Sequence, residues 1–190
     1  MEIRSRLGAQ VPAHTLSWAR GIPEVVVPCD YVADGAASAS DSAALDPTSE
    51  RTYEVVESVI DAVSDIFPDA HFHVGADEVR AECWDREPRL RAWAKQRGLG
   101  RGDARDLFAH FLERVLDIVA RHKRRPVVWQ DGLELATPAA AAALARHDAV
   151  VETWKCWSGS ADRWARAALA KNLSVVDASC WFPGRAETSG

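Results

Sequence analysis

Apolar positions recur along this chain in two rhythms. Across residues 48–67, Val55, Val56, Val59, Ile60, Val63 and Ile66 return every three or four positions, which predicts a helix. Pro47 and Thr48 start it and Pro68 ends it. A longer helix is predicted over 103–122, with Leu107, Phe108, Phe111, Leu112, Val115 and Leu116 on one broad face. Arg121 to Arg125 stand at its C-terminal end, where cations suit the helix dipole. Shorter helical patterns cover 87–96, 137–145 and 160–170. Between them lie short, nearly continuous apolar runs at 71–74, 127–129, 149–154 and 174–177. Strands and helices alternate, which is the signature of an α/β fold with a parallel sheet covered by helices.

Two regions break the rhythm. Residues 1–28 read as a turn-rich entry, with Val11-Pro12, Gly21-Ile22-Pro23 and Pro28. Residues 30–49, rich in Ala, Ser and Asp, are predicted to form a flexible loop. The rest forms a single domain. A barrel and an open doubly wound sheet both satisfy the alternation, and each places its ligand site at the carboxyl ends of the strands. Asp77 and Glu78, Trp129 and Asp131, Trp154 and Trp181 all fall just past predicted strands.

Composition narrows the choice. The chain has 190 residues, 47% hydrophobic and 27% charged, a balance that builds a core and excludes a disordered chain. A formal charge of −5 offers no basic surface, so nucleic acid is not an expected partner. The longest apolar run, 139–145, is far short of the ~20 residues of a membrane span. Arg4 and Arg6 are not followed by an apolar stretch, so no secretory leader is expected. No GxGxxG or GxxxxGK[ST] follows a strand, which leaves nucleotide binding without support.

Asp77 and Glu78 carry the sharpest chemistry. Neighbours on a strand point to opposite faces, so both acids can face one site only where the chain is turning, and Gly75 permits such a turn. Close carboxylates repel, which lets one act as a proton donor while the other stays charged. The plain alternative is a solvated loop carrying two acids. The eight tryptophans offer flat faces that stack on sugar rings, although a Trp is more often core. A metal set of His71, His73, Asp77 and Glu78 is conceivable but is not adopted.

The segment His73-Val74-Gly75-Ala76-Asp77-Glu78, with Pro12-Ala13-His14-Thr15-Leu16-Ser17-Trp18 upstream, resembles family 20 glycoside hydrolases, the β-N-acetylhexosaminidases. Further matches follow in order: Gly21-Ile22-Pro23, Asp46-Pro47-Thr48, Cys83-Trp84, Val127-Val128-Trp129-Gln130-Asp131, 151–154, and Ser179-Cys180-Trp181-Phe182. The resemblance implies a partial (β/α)₈ barrel, about its third to seventh strands, in a chain short of the ~250 residues such barrels take. It implies retaining hydrolysis of terminal β-linked N-acetylhexosamine, in which the substrate's own acetamido oxygen is the nucleophile. Glu78 would be the acid and then the base, and Asp77 would orient the acetamido group. Trp129, Trp154 and Trp181 would wall its pocket. Asp131 would hold sugar hydroxyls, and His14 and His73 would stand near the acid.

The same resemblance implies N-acetylhexosamine-terminated glycans as partners, no cofactor, and a homodimer for a full-length form. Cys29 and Cys83 resemble a pair that forms a disulfide in animal members, which would place the protein in a lysosomal or secreted setting. Two departures favour a binding relative with impaired catalysis: Gln10 in place of an acid, and Phe182 in place of a tyrosine that donates to the acetamido oxygen. A truncated product without independent activity is a third reading.

Overall fold

The computed structural model describes residues 11–28, 43–156 and 159–179. After a short helix α1 (Leu16–Gly21) and a 3₁₀ turn at Pro23–Val25, strands β1 (Val26–Pro28) and β2 (Ala43–Leu45) pair antiparallel. Then follow α2 (Glu50–Ile66), β3 (His71–Gly75), α3 (Ala81–Asp85), α4 (Pro88–Gln96) and α5 (Ala104–Arg121). The remainder is β4 (Arg125–Trp129), α6 (Asp131–Glu134), α7 (Pro138–Arg146), β5 (Val150–Thr153), α8 (Ser160–Leu169) and β6 (Ser174–Asp177).

The principal sheet is parallel, in the order β3-β4-β5-β6. A doubly wound sheet reverses its order at a switch point; this one runs in chain order throughout. Right-handed crossovers between strands in that order all place their helices on one face of the sheet. Upstream chain continues the sequence on the other side of β3, where Val11 makes a parallel bridge with Gly75.

Each predicted strand and long helix forms. Asp103 caps α5 by accepting the N–H groups of Arg105 and Asp106, and Thr137 caps α7 by accepting that of Ala140. The α5 stripe named above is buried almost completely and packs with Tyr53, Val56 and Ile60 of α2. Outside this seam, Arg114 forms a forked pair with Glu50, and Arg121 reaches Glu57. Such exposed pairs contribute about 0–1 kcal/mol each, so the apolar seam dominates.

The loop expected over 30–49 needs correction where it is described. Ala43, Ala44 and Leu45 form β2 and are buried, because the Leu45 N–H bonds to the Pro12 carbonyl while Ala43 and Leu45 pair with β1. Residues 30–42 lie outside the described residues. Trp84 of α3 locks this corner: it has no exposed surface, and its indole N–H donates to the Leu45 carbonyl at 3.1 Å. No helix among the described residues is long and apolar enough to cross a membrane.

Trp84→Ala is therefore expected to cost about 3–5 kcal/mol through the lost contacts and the cavity. Trp84→Phe should cost about 1–3 kcal/mol, mainly by stranding the Leu45 carbonyl. Urea unfolding of the two variants checks both the size and the order.

Candidate active site

The site forms where β3 ends. Gly75, Ala76 and Glu78 take φ of 86°, 71° and 48°, so the chain coils off the strand rather than continuing its pleat. Several bonds hold this turn. His73 Nδ1 accepts the Gly75 N–H at 2.9 Å, and the β3–β4 register slips between those two residues. On the other side the Ala76 N–H bonds to the Val11 carbonyl, and the Val11 N–H to the Val74 carbonyl.

The turn brings Asp77 and Glu78 to one imidazole. His14 Nε2 lies 3.2 Å from Asp77 Oδ2 and 3.4 Å from Glu78 Oε2. Asp77 is mostly buried, whereas the Glu78 side chain is 54% exposed. Glu78 lines an open cavity of about 270 Å³ together with Ala13, His14 and Arg80. His14, Asp77 and Glu78 offer ligand atoms within 4.8 Å of one another. The set weighed from the sequence does not form in that way: His14 stands among the acids, and His71 is exposed at the start of β3.

Asp131, at the start of α6, is 5% exposed and its carboxylate is turned to the protein. Oδ2 accepts the Trp154 indole N–H at 2.8 Å. Oδ1 meets the Lys155 ammonium at 2.8 Å and the Glu78 N–H at 3.3 Å. These three donors occupy the group expected to bind sugar hydroxyls.

Trp129 and Trp154 meet edge to face, with ring centroids 6.5 Å apart. His73 lies under Trp129, 4.5 Å between centroids, and is 7% exposed. It therefore supports the wall instead of lining it. Its Nε2 carries the proton and lies 3.5 Å from Glu152 Oε2. Burial pushes the His73 imidazole down to about 4, with Asp77 opposing the shift. Trp181, Phe182, Gln10 and Cys29 lie outside the described residues. Cys83 is buried.

Sequence reasoning missed Gln130, Glu134, Glu152 and Lys155. Gln130 has no exposed surface, and its Oε1 accepts the N–H groups of Trp154 and Lys155 at 3.0 and 3.1 Å. Its Nε2 donates to Glu134, and Glu134 accepts a second bond from Lys155. The available signal was Lys155 itself, a charge placed immediately after a strand-end Trp.

Residues 7–182 match the glycosyl hydrolase family 20 catalytic domain, and the chain belongs to that family. It is 31% identical over 171 residues to the human beta-hexosaminidase subunit beta, covering 90% of this chain and 29% of that one. The bovine beta-hexosaminidase subunit alpha is 31% identical over 144 residues, covering 76% and 25%. The chain thus spans between a quarter and a third of the length of these relatives. Among solved structures, it superposes on Flavobacterium johnsoniae chitobiase with a TM-score of 0.72 at 23% identity, over 90% of this chain and 25% of that one. For the β-N-acetylhexosaminidase of Bacteroides fragilis the values are 0.65 and 21%, over 90% and 32%. These likenesses establish a shared fold.

His73 makes folding sensitive to acid. Its pKa falls from the ordinary 6.5 to about 4 on folding. Unfolded chains bind the extra proton first, so its contribution is full above pH 6.5 and is lost as the pH falls toward 4. The loss is about 3 kcal/mol. Stability measured by urea from pH 7 to 4 should decline, and His73→Gln should flatten that decline.

Proposed function

We propose that this site cleaves terminal β-linked N-acetylhexosamine with retention, using the substrate's acetamido oxygen as nucleophile. The sheet would then be an arc of a (β/α)₈ barrel, with its site at the carboxyl ends of the strands. The observation that carries the reading is the pairing of a mostly buried Asp77 with an exposed Glu78 at one turn, both on His14.

Each group has a role suited to its surroundings. Glu78 faces the open cavity, so it can give a proton to the leaving oxygen and then take one from water. Asp77 is fixed by His14 and suits the task of orienting the acetamido group and offsetting the positive charge of an oxazolinium-like intermediate. Adjacent carboxylates cannot reach opposite faces of one sugar ring, which explains why the nucleophile comes from the substrate. Trp129 and Trp154 form a flat corner that would receive the acetamido methyl, and Trp181 would extend it. Asp131 would act here through the protein, holding Trp154 and the Glu78 backbone.

A disulfide joining Cys83, buried beside Trp84, to Cys29 would fit an oxidising setting, lysosomal or secreted. Mapping of the unreduced protein by mass spectrometry is expected to return a peptide joining Cys29 to Cys83.

The intact protein should release the chromophore from a β-N-acetylglucosaminide. Glu78→Gln should lower kcat by roughly 10²–10⁴-fold, the usual worth of a general acid. N-acetylglucosamine binding without turnover, unchanged by Glu78→Gln, would refute hydrolysis and leave the binding relative as the better description.

A further inference from the structure

Asp131 is buried and paired with a largely covered Lys155, and the other contacts of Asp131 lead into the candidate site. Lys155 leaves the end of β5, and only 15% of its side chain is exposed. Its ammonium lies 2.8 Å from Asp131 Oδ1 and 2.6 Å from Glu134 Oε2. Burial opposes a charged lysine, but the hydrogen bonds from these two carboxylates outweigh it and hold Lys155 above the ordinary lysine range. Asp131 also accepts from the Trp154 indole and the Glu78 N–H.

We infer that Lys155 is a positioning residue: it fixes the Asp131 carboxylate, and through it sets the Trp154 wall and the backbone of Glu78. The inference rests on the reading of Glu78 and Trp154 given above, but the network itself can be tested without sugar. The two glutamates are not equivalent. Glu134 keeps the Gln130 amide as a partner when Lys155 is removed, whereas Asp131 is left as a buried anion without a cation. Removing one partner of a buried pair is far more damaging than removing both. Glu78 meets Asp131 from the turn after β3 through its backbone N–H, and its side chain is turned to His14. Lys155 is therefore the only cationic side chain bonded to Asp131 among the described residues.

The experiment uses the intact protein with ¹⁵N-labelled tryptophan. The Trp154 indole resonance is assigned with Trp154→Phe and followed in Lys155→Met, Lys155→Arg, Asp131→Asn and the double variant Asp131→Asn/Lys155→Met. Lys155→Met should move the resonance as Asp131→Asn does, and Lys155→Arg should return it toward its original position. Lys155→Met should also lower the Tm by about 10 °C, with the double variant recovering most of that loss. An unmoved Trp154 resonance in folded Lys155→Met overturns the inference. Should Lys155→Met not fold, a double variant that is equally unfolded overturns it, and one that unfolds cooperatively supports it. N-acetylglucosamine titration is run in parallel, with weaker binding expected for Lys155→Met. An original protein that binds no sugar would refute the function proposed above while leaving the indole and Tm results to decide the network.

Discussion

Everything at this site depends on how β3 ends. A regular strand would send Asp77 and Glu78 to opposite faces. The left-handed stretch at Gly75, Ala76 and Glu78 turns them to one side. Ala76 and Glu78 each take a conformation that costs an L-residue about 1–2 kcal/mol. The strain persists because the neighbouring chain overdetermines it. Val11 grips the turn from one side and Asp131 from the other, and His73 takes the Gly75 N–H from below. The unusual backbone is thus a product of three separated segments meeting at one point.

The same geometry divides the work among three carboxylates of similar chemistry. Asp131 is buried and bonded to three protein donors, which makes it a structural hub. Asp77 is mostly buried on a single imidazole, which keeps it still but leaves Oδ1 without a hydrogen-bond partner among the described residues. Glu78 reaches the cavity and solvent. Only the last is more than half exposed to solvent. Role follows from exposure and donors, not from residue type.

The framework was legible in the chain because burial leaves periodic marks. The α5 stripe and the apolar runs at β4 and β5 announce their faces directly. The shorter elements leave no such mark: β1, β2 and the four-residue α6 are too brief to show a period, and the alanines of β2 read as loop. That Asp77 and Glu78 turn to one place was legible through Gly75 and the motif around them. The role of Asp131 was not, because it depends on Lys155 lying 24 positions away in sequence and 2.8 Å away in space. His73 shows the same limit: its spacing marks a strand, while its neutral, supporting role follows only from the ring stacked above it.

Burial across the sheet adds a last constraint. Val128 and Val151, at the centre, have no exposed surface. Val175 and Val176 of β6 are only half-buried, although they are equally apolar. One side of β6 pairs with β5, and among the described residues no strand takes the other. Apolar strand residues left half-covered at an edge favour further pairing, by about 25 cal/mol for each Å² removed from water. In a barrel that need is met by the next strand. The wall holding Trp154 would gain rigidity by the same step, since the Thr153 hydroxyl at the end of β5 is bonded to Asp177 at the end of β6. Stability of the sheet edge and order in the site are therefore one problem: whatever covers β6 also steadies the tryptophan corner.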